Sequence, residues 1–431
     1  MSLELTSILL VVAFVILLSS GLELFAAIGL TAGIGLLLFA NQPLSGFATT
    51  SWSTLNSFSL TAMPLFVFMG AIYHNTGAVA PLFDGANKWI GRMPGGMACS
   101  VLAANAVFGA MSGSSVAAAA TFGKIAFPQM EKLGYDPKFA LGTIAMGGTL
   151  SVLIPPSIIL VLYGIWHEIS IARLFAAGML PGLLLASLIL LTIVVQAIIN
   201  PRLAPRLPKS TWKERIDALI RMLPFLSIIV IVLGIIFAGI MTPTEAAALG
   251  AFLSIVLAAA YRKMTFAALR NSALTAVEVT AMIGVILVSA KMLGQVFQYI
   301  GLTEAASAYL SQLSIGKYGI IAVICVMYVI LGMFFESFCM MVLTMPFVTP
   351  LVIDSGFSLL WFGVLFVVLA EIGLVTPPFG LNLFVIRSVV PQYDLMVVAR
   401  GALPFLIPTV LMVVLLIAFP ELALWLPRIL Y

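Results

Sequence analysis

Gly373-Leu-Val-Thr376-Pro377-Pro378-Phe-Gly380 sits in the middle of an apolar run that extends from about Phe357 to Val385. Proline has no backbone N–H and its ring clashes with the preceding turn, so a double proline breaks a helical ladder. In hydrocarbon no water takes up the freed backbone groups. Such a break survives only where protein buries it or where it lines a wet cavity. The same device recurs at Leu153-Ile154-Pro155-Pro156-Ser157. Two interrupted membrane helices in corresponding halves of a chain point to a solute site at mid-membrane.

The rest of the chain supplies the membrane context. Of its 431 residues, 62% are hydrophobic and 8% are charged, against roughly 25% charged in a soluble domain. Apolar runs of about twenty residues, the length that crosses a bilayer, recur throughout. The period-2 alternation of a β-barrel is absent, so an all-α polytopic protein of the lipid bilayer is expected. The opening has no basic stretch ahead of its first apolar run, so no cleavable signal is expected. The formal net charge of +4 reads as loop bias and not as nucleic-acid contact. Cys99, Cys325 and Cys339 lie in apolar segments and read as packing residues. Neither they nor His74 and His167 show ligand spacing, so no disulfide or metal cluster is expected. No Ser-His-Asp set, P-loop, dinucleotide fingerprint or HExxH motif occurs. An enzyme, or a need for an organic cofactor, is therefore not expected.

The two halves repeat one plan. Pro128, Gly134 and Pro155-Pro156 are spaced by 6 and 21 residues, and Pro350, Gly356 and Pro377-Pro378 repeat those spacings. Gly178-Met-Leu-Pro181 matches Gly401-Ala-Leu-Pro404, Thr61-Ala-Met63 matches Thr280-Ala-Met282, and Ala26-Ala-Ile-Gly29 matches Ala247-Ala-Leu-Gly250. The spacing predicts a first repeat over 1–200, a linker over 201–221 and a second repeat over 222–431. Each repeat opens with two spans, about 4–20 and 23–40, then 222–240 and 244–260. A third span follows, at about 59–76 and 276–298. Re-entrant hairpins are expected at about 95–128 and 317–350, because each arm is shorter than the roughly twenty residues a span needs. Broken helices follow at about 136–166 and 358–388, and closing spans at about 171–200 and 402–427. Asn41–Asn56 and Lys263–Asn271 read as amphipathic interfacial segments.

Five crossings per repeat, an odd number, make the second repeat inverted relative to the first. Arg202, Arg206, Lys209, Lys213, Arg215 and Arg221 place the linker in the cytoplasm. Both termini then face outward, and the two hairpins enter from opposite sides. Thr242-Pro243-Thr244-Glu245 reads as a helix start with a capping box.

The breaks expose carbonyls that suit Na⁺ and helix N-termini that suit anions. One sodium shell is expected from Ser112, Gly113 and Ser115 at the first tip with Ser151 and Pro155 at the first break. Its mate is expected from Gly332 at the second tip with Gly373, Thr376 and Pro377. The solute is expected between the tips, reached by Ser112, Ser114 and Ser157. Ionisable residues at membrane depth are functional candidates, which singles out Glu336 in the second tip and Glu371 before the second break. Lys291 either neutralises a solute carboxylate or pairs with Glu336 or Glu371. Glu278 lies near a span end and reads as interfacial.

Phe108-Gly-Ala-Met-Ser112-Gly-Ser-Ser115, Pro128-Gln-Met-Glu-Lys-Leu-Gly134-Tyr-Asp136, Ile154-Pro-Pro-Ser157 and Met241-Thr-Pro-Thr-Glu245-Ala resemble, in this order, the large membrane (M, DctM-type) subunit of tripartite ATP-independent periplasmic (TRAP) transporters. The resemblance covers essentially the whole chain. It implies an elevator-type ion-transporter fold, in which two hairpins and two broken helices slide against outer spans. It implies a small four-helix membrane (Q) subunit, a soluble periplasmic (P) binding protein, uptake of a small organic anion driven by Na⁺, and the bacterial or archaeal inner membrane. Ser112 and Ser157 match serines that contact substrate in sialic-acid members, and Gly332, Gly373 and Thr376 match one sodium site. Glu336 stands where those members carry aspartate. An arginine of their substrate region has no counterpart near Gly294-Gln-Val-Phe-Gln-Tyr299, which leaves the substrate open. The nearest alternative is a stand-alone divalent-anion/Na⁺ symporter, whose paired Ser-Asn-Thr tips are missing here. A proton-pumping redox subunit would need a Lys/Glu/His relay across the bilayer, whereas the polar groups here cluster at two tips.

Overall fold

α9 (Pro137–Leu153) and α17 (Leu359–Leu374) have no separate polar face, with Thr143, Ser151 and Glu371 set among their apolar residues. Both lie in the core: every residue from Phe139 to Leu153 and from Trp361 to Leu374 is buried. The other elements are arranged around this pair. The computed structural model describes residues 3–39, 45–77, 79–302, 305 and 316–431, and all regular elements among them are helical.

The first half runs α1 (Leu3–Ser19), α2 (Leu24–Ile34), α3 (Ser45–Leu55), α4 (Ala62–Asn75) and α5 (Val79–Ile90). It continues with a helical hairpin, α6 (Gly96–Ser112) and α7 (Ser115–Ile125), the short α8 (Phe127–Lys132), then α9 broken from α10 (Ile158–Trp166), and α11 (Ile171–Ile199). The second half runs α12 (Trp212–Phe237), α13 (Pro243–Ala260) and α14 (Phe266–Tyr299). A second hairpin follows, α15 (Gly316–Gly332) and α16 (Ser337–Asp354), then α17 broken from α18 (Leu381–Val389), α19 (Leu395–Ala418) and α20 (Glu421–Leu430).

Each hairpin packs on the first half of its own broken helix, α6 and α7 on α9, and α15 and α16 on α17. The two halves then interlock. α18 packs on α7, α10 reaches α16, α19 crosses α9 and α11 crosses α17. A second group, α2, α4, α13 and α14, packs mainly on itself and meets the inner bundle along α4 and α14. Outer spans show the opposite burial from α9. In α11 and α12 only 28% of the apolar window is buried, against 94% across α9 and α10, so their remaining faces suit lipid.

By length and apolarity, seven segments among the described residues are able to cross a membrane: α9 with α10, α11, α12, α13, α14, α16 and α19. α1 and α2, expected as full spans, fall among the shorter apolar helices. The stretch Lys263–Asn271, expected as a separate interfacial helix, instead opens α14, which continues from Phe266 to Tyr299 without a break. No Gly or Pro interrupts it before Gly284, so nothing ends the helix at the interface. In the other amphipathic stretch, 41–44 lie outside the described residues, and α3 is bent by 56° from the segment that follows it. The second part of the expected linker, from Trp212, already belongs to α12, which opens with a Thr211–Glu214 capping box. Thr242 and Glu245 form the same box at the start of α13.

Small residues set the closest crossing. A Cβ on Gly142 of α9 would lie 2.1 Å from the Gly401 carbonyl carbon of α19, and one on Gly401 would lie 1.9 Å from the Lys138 oxygen. Backbones approach this closely only without side chains between them. Gly401→Val should therefore lower the stability of the purified protein by about 1–3 kcal/mol. Gly234→Ala, in an α12 position with open space around it, should be neutral or stabilising by up to ~1 kcal/mol. Thermal unfolding in detergent checks both, and equal losses would contradict the crossing.

Candidate functional site

The first tip is built by a glycine and a serine. α6 ends at Gly113, whose φ of +61° a residue with a Cβ adopts at a cost. Its N–H donates to the Gly109 oxygen at 2.7 Å. Ser114 is extended, and its Oγ accepts the Ala117 N–H at 3.3 Å, capping α7. The tip is wedged into the first break. A Cβ on Gly113 would lie 2.7 Å from Ile158 Cγ1, and one on Gly109 would lie 1.9 Å from Ser151 Cβ. At the break, Ser151 Oγ donates to the Gly148 oxygen at 2.6 Å, and Ser157 Oγ accepts the Leu160 N–H at 3.3 Å, capping α10. Pro155 and Pro156 bring no N–H, so the last carbonyls of α9 lack helical partners.

The second half repeats the construction. A Cβ on Gly373 would lie 2.4 Å from the Gly332 Cα. The close pairs Gly109–Ser151 and Gly332–Gly373 are related by 223 and 222 residues, the offset of the sequence repeat. Glu336 caps α16, its Oε2 accepting the Phe338 N–H at 3.0 Å, and Thr376 Oγ1 donates to the Ile372 oxygen at 2.6 Å. Behind each tip the polar atoms are hydroxyl and carbonyl oxygens, with the Glu371 carboxyl group beside them.

Glu371 joins the two constructions. It is 2% exposed, and Ser337 Oγ donates to its Oε1 at 3.2 Å. Ser115 of the first hairpin lies within hydrogen-bonding reach of the same carboxyl group. Its Oε2 has no partner of good hydrogen-bond geometry. Among the described residues no lysine or arginine pairs with it. A carboxyl buried this way is accommodated by a proton or by a mobile cation.

In front of the tips lies a cavity of ≈ 770 Å³. Ser112, Gly113, Ser114, Ser115 and Glu336 line it, together with Ile158 and Ile159 at the start of α10 and Leu381 at the start of α18. Its opposite wall is α4 and α14. There α4 touches the first tip, because a Cβ on Gly70 would lie 2.7 Å from Ser112 Cα. Ser151, Pro155, Gly332, Gly373, Thr376 and Pro377 do not line the cavity and belong to the breaks behind it. Ser157 is 1% exposed and acts from behind as the α10 cap. Glu278 is exposed on α14.

Lys291 is not brought to this site. It neither lines the cavity nor forms an ion pair with Glu336 or Glu371. The reason is helical phase. The cavity face of α14 runs through Thr275, Val279, Met282, Ile283 and Ile286, and position 291 is rotated off that stripe. The stripe itself, a legible period of 3.6, is what the sequence reading passed over. His74, which the sequence marks only as lacking ligand spacing, lines the cavity, and its Nδ1 lies 3.3 Å from Thr121 Oγ1 across the α4–α7 contact. Asn105 and Asn382, both fully buried with neither amide atom hydrogen-bonded, carry no sequence signal that sets them apart.

The chain is similar to known proteins over nearly its whole length. Residues 10–422 match the family described as the tripartite ATP-independent periplasmic transporter, DctM component. The C4-dicarboxylate TRAP transporter large permease protein DctM of Pseudomonas aeruginosa is 32% identical over 403 residues, covering 93% of this chain and 94% of that one. The sialic acid TRAP transporter large permease protein SiaM of Vibrio cholerae is 31% identical over 405 residues, covering 93% and 91%. The crystal structure of the Alcanivorax borkumensis YdaH transporter, described as having an unusual topology, superposes with a TM-score of 0.65 over 90% of each chain. At 14% identity that likeness shows a shared fold.

The hydrogen bonds separate structural serines from free ones. Ser114→Ala and Ser157→Ala remove helix caps and should each cost about 1 kcal/mol of stability. Ser112 Oγ is buried with no hydrogen-bond partner, so Ser112→Ala should leave the unfolding temperature unchanged or raise it, while weakening solute binding. A Ser112→Ala protein that melts earlier and binds normally would reverse this assignment.

Proposed function

We propose a function from one premise: the chain belongs to the tripartite ATP-independent periplasmic transporters, as their DctM component, the large permease. On this reading it moves a small organic anion, a carboxylate or related acid, across the inner membrane in symport with Na⁺. A soluble periplasmic binding protein delivers the anion, and a small four-helix membrane subunit completes the complex. Both termini face the periplasm, and the two repeats are inverted. The observation that carries the reading is that residues of both hairpin tips and the starts of α10 and α18, the second segments of the two broken helices, line one cavity.

The mechanism follows from the chemistry at the tips. Na⁺ prefers oxygen donors, and each break offers carbonyls freed by a double proline. One ion is held by Ser112, Gly113 and Ser115 with Ser151 and Pro155, the other by Gly332 with Gly373, Thr376 and Pro377. Each set spans a hairpin and a broken helix, so a bound ion fixes the tip against the break and shapes the anion site in front of it. Ser112 and Ser114 reach the anion directly, Ser157 supports the α10 N-terminus, and Glu336 bounds the site. The hairpins and broken helices move as one body past α2, α4, α13 and α14. The self-packing of those four helices supports that division.

Uptake into proteoliposomes containing both membrane subunits and the binding protein tests this reading. An inward Na⁺ gradient should drive uptake, and K⁺ alone should not. Thr376→Val should raise the Na⁺ concentration for half-maximal uptake by about tenfold, about 1.4 kcal/mol. An unchanged Na⁺ dependence in Thr376→Val and Gly373→Ala would remove the second ion site.

A further inference from the structure

Glu371 lies on α17 two residues before Gly373, and its carboxyl group meets residues of both hairpins. The residue is 2% exposed. Ser337, the first residue of α16, donates its hydroxyl hydrogen to Oε1 at 3.2 Å. Ser115, the first residue of α7, lies within hydrogen-bonding reach from the other hairpin. Both serines are themselves buried, so all three polar groups are withdrawn from bulk water. Oε2 is left with no hydrogen-bond partner.

A carboxylate buried in this way is costly unless a cation or a full set of donors satisfies it. The ion pairs found among the described residues are Lys88–Glu214, Arg221–Asp217 and Arg428–Glu421, and none involves Glu371. Its charged neighbour is Glu336, of the same sign. The nearby fixed charge therefore deepens the deficit. A native orphan of this kind calls for a partner, and a bound ion is one. The local chemistry suits an ion. A serine hydroxyl that donates to a carboxylate keeps its oxygen lone pairs for another contact. With Oε2, the Ser115 and Ser337 oxygens make a set of hard donors, which hard cations prefer. The Glu336 carboxyl group is engaged in capping α16, its Oε2 accepting the Phe338 N–H. One carboxylate then balances one positive charge, which matches a monovalent ion.

We propose that Glu371, Ser115 and Ser337 bind a Na⁺ between the two hairpins, at a position separate from the two ion shells behind the tips. Those shells consist of neutral hydroxyl and carbonyl oxygens, whereas this position supplies a full negative charge. Ser115 is shared with the first shell. The ion ties α7 of one repeat to α16 of the other through α17, so the two hairpins are held together only while it is bound. This rests on the reading of the chain as a Na⁺-coupled permease.

The test is thermal unfolding of the purified full chain in detergent, titrated with NaCl or KCl against choline chloride at constant ionic strength. Na⁺ should raise the wild-type unfolding temperature saturably, and K⁺ should not. In choline alone, Glu371→Gln should unfold at a higher temperature than the wild type, because an unpaired buried charge is gone. Its half-saturating Na⁺ concentration should rise at least about tenfold. Ser337→Ala keeps the charge and removes one ligand, so its half-saturating Na⁺ concentration should rise about threefold. That variant decides the matter if Glu371→Gln does not fold. A Glu371→Gln protein that matches the wild type in choline and in Na⁺ would place a proton on this carboxyl group, overturning the inference and leaving the two shells standing. An equal shift of the unfolding temperature in choline and in Na⁺ would make Glu371 structural and overturn it as well. K⁺ acting as well as Na⁺ would overturn the choice of ion. No Na⁺ effect on the wild type would remove the two shells and the inference together.

Discussion

Backbone groups freed inside a bilayer must be satisfied by protein or by something the protein holds. That constraint organises this molecule. Pro155-Pro156 and Pro377-Pro378 each interrupt a helix that is buried on all sides. The first break is enclosed by protein, whereas the second is exposed at Pro378 and Phe379. The fold answers by bringing a hairpin tip to each break. Of the four hairpin arms, α16 at 18 residues is long and apolar enough to cross a membrane, whereas α6, α7 and α15 are shorter.

The approach of tip to break is possible because side chains are missing where the backbones meet. Gly109 against Ser151 and Gly332 against Gly373 are the same contact built twice, at the offset of the sequence repeat. Serines then divide into two kinds. Ser114 and Ser157 cap helices, whereas the hydroxyl of Ser112 is buried without a hydrogen-bond partner. Glu371 sits where the two constructions touch, with Ser337 from its own hairpin and Ser115 from the other beside its carboxyl group.

The parts of this arrangement legible in the sequence are those marked by backbone chemistry. Double prolines identify the breaks, and small polar clusters between short apolar arms identify the tips, because proline and glycine act locally and in known ways. Positions fixed by tertiary packing were harder to read. Lys291 stood out as a charge at membrane depth, yet its phase on α14 turns it off the cavity face. The apolar stripe from Val279 to Ile286 carries no mark of its place, since nothing in a run of Val, Met and Ile distinguishes a cavity wall from a helix contact. The interfacial helix expected at Lys263–Asn271 merges into α14, because a polar stretch without a breaker does not end a helix that packing continues. The unpaired burial of Glu371 is likewise a property of what surrounds it.

The central claim is that both tips face one aqueous cavity and not lipid or a sealed core. Single cysteines placed at Ser112 and Phe338, in a chain whose native cysteines are replaced, test it directly with a small charged methanethiosulfonate reagent in native membranes. Reaction requires the thiolate and therefore water. Both positions should react, and the solute should protect both, while a cysteine at the outward-facing Val230 of α12 should remain unmodified. Protection at one tip alone, or no reaction at either, would contradict the shared cavity.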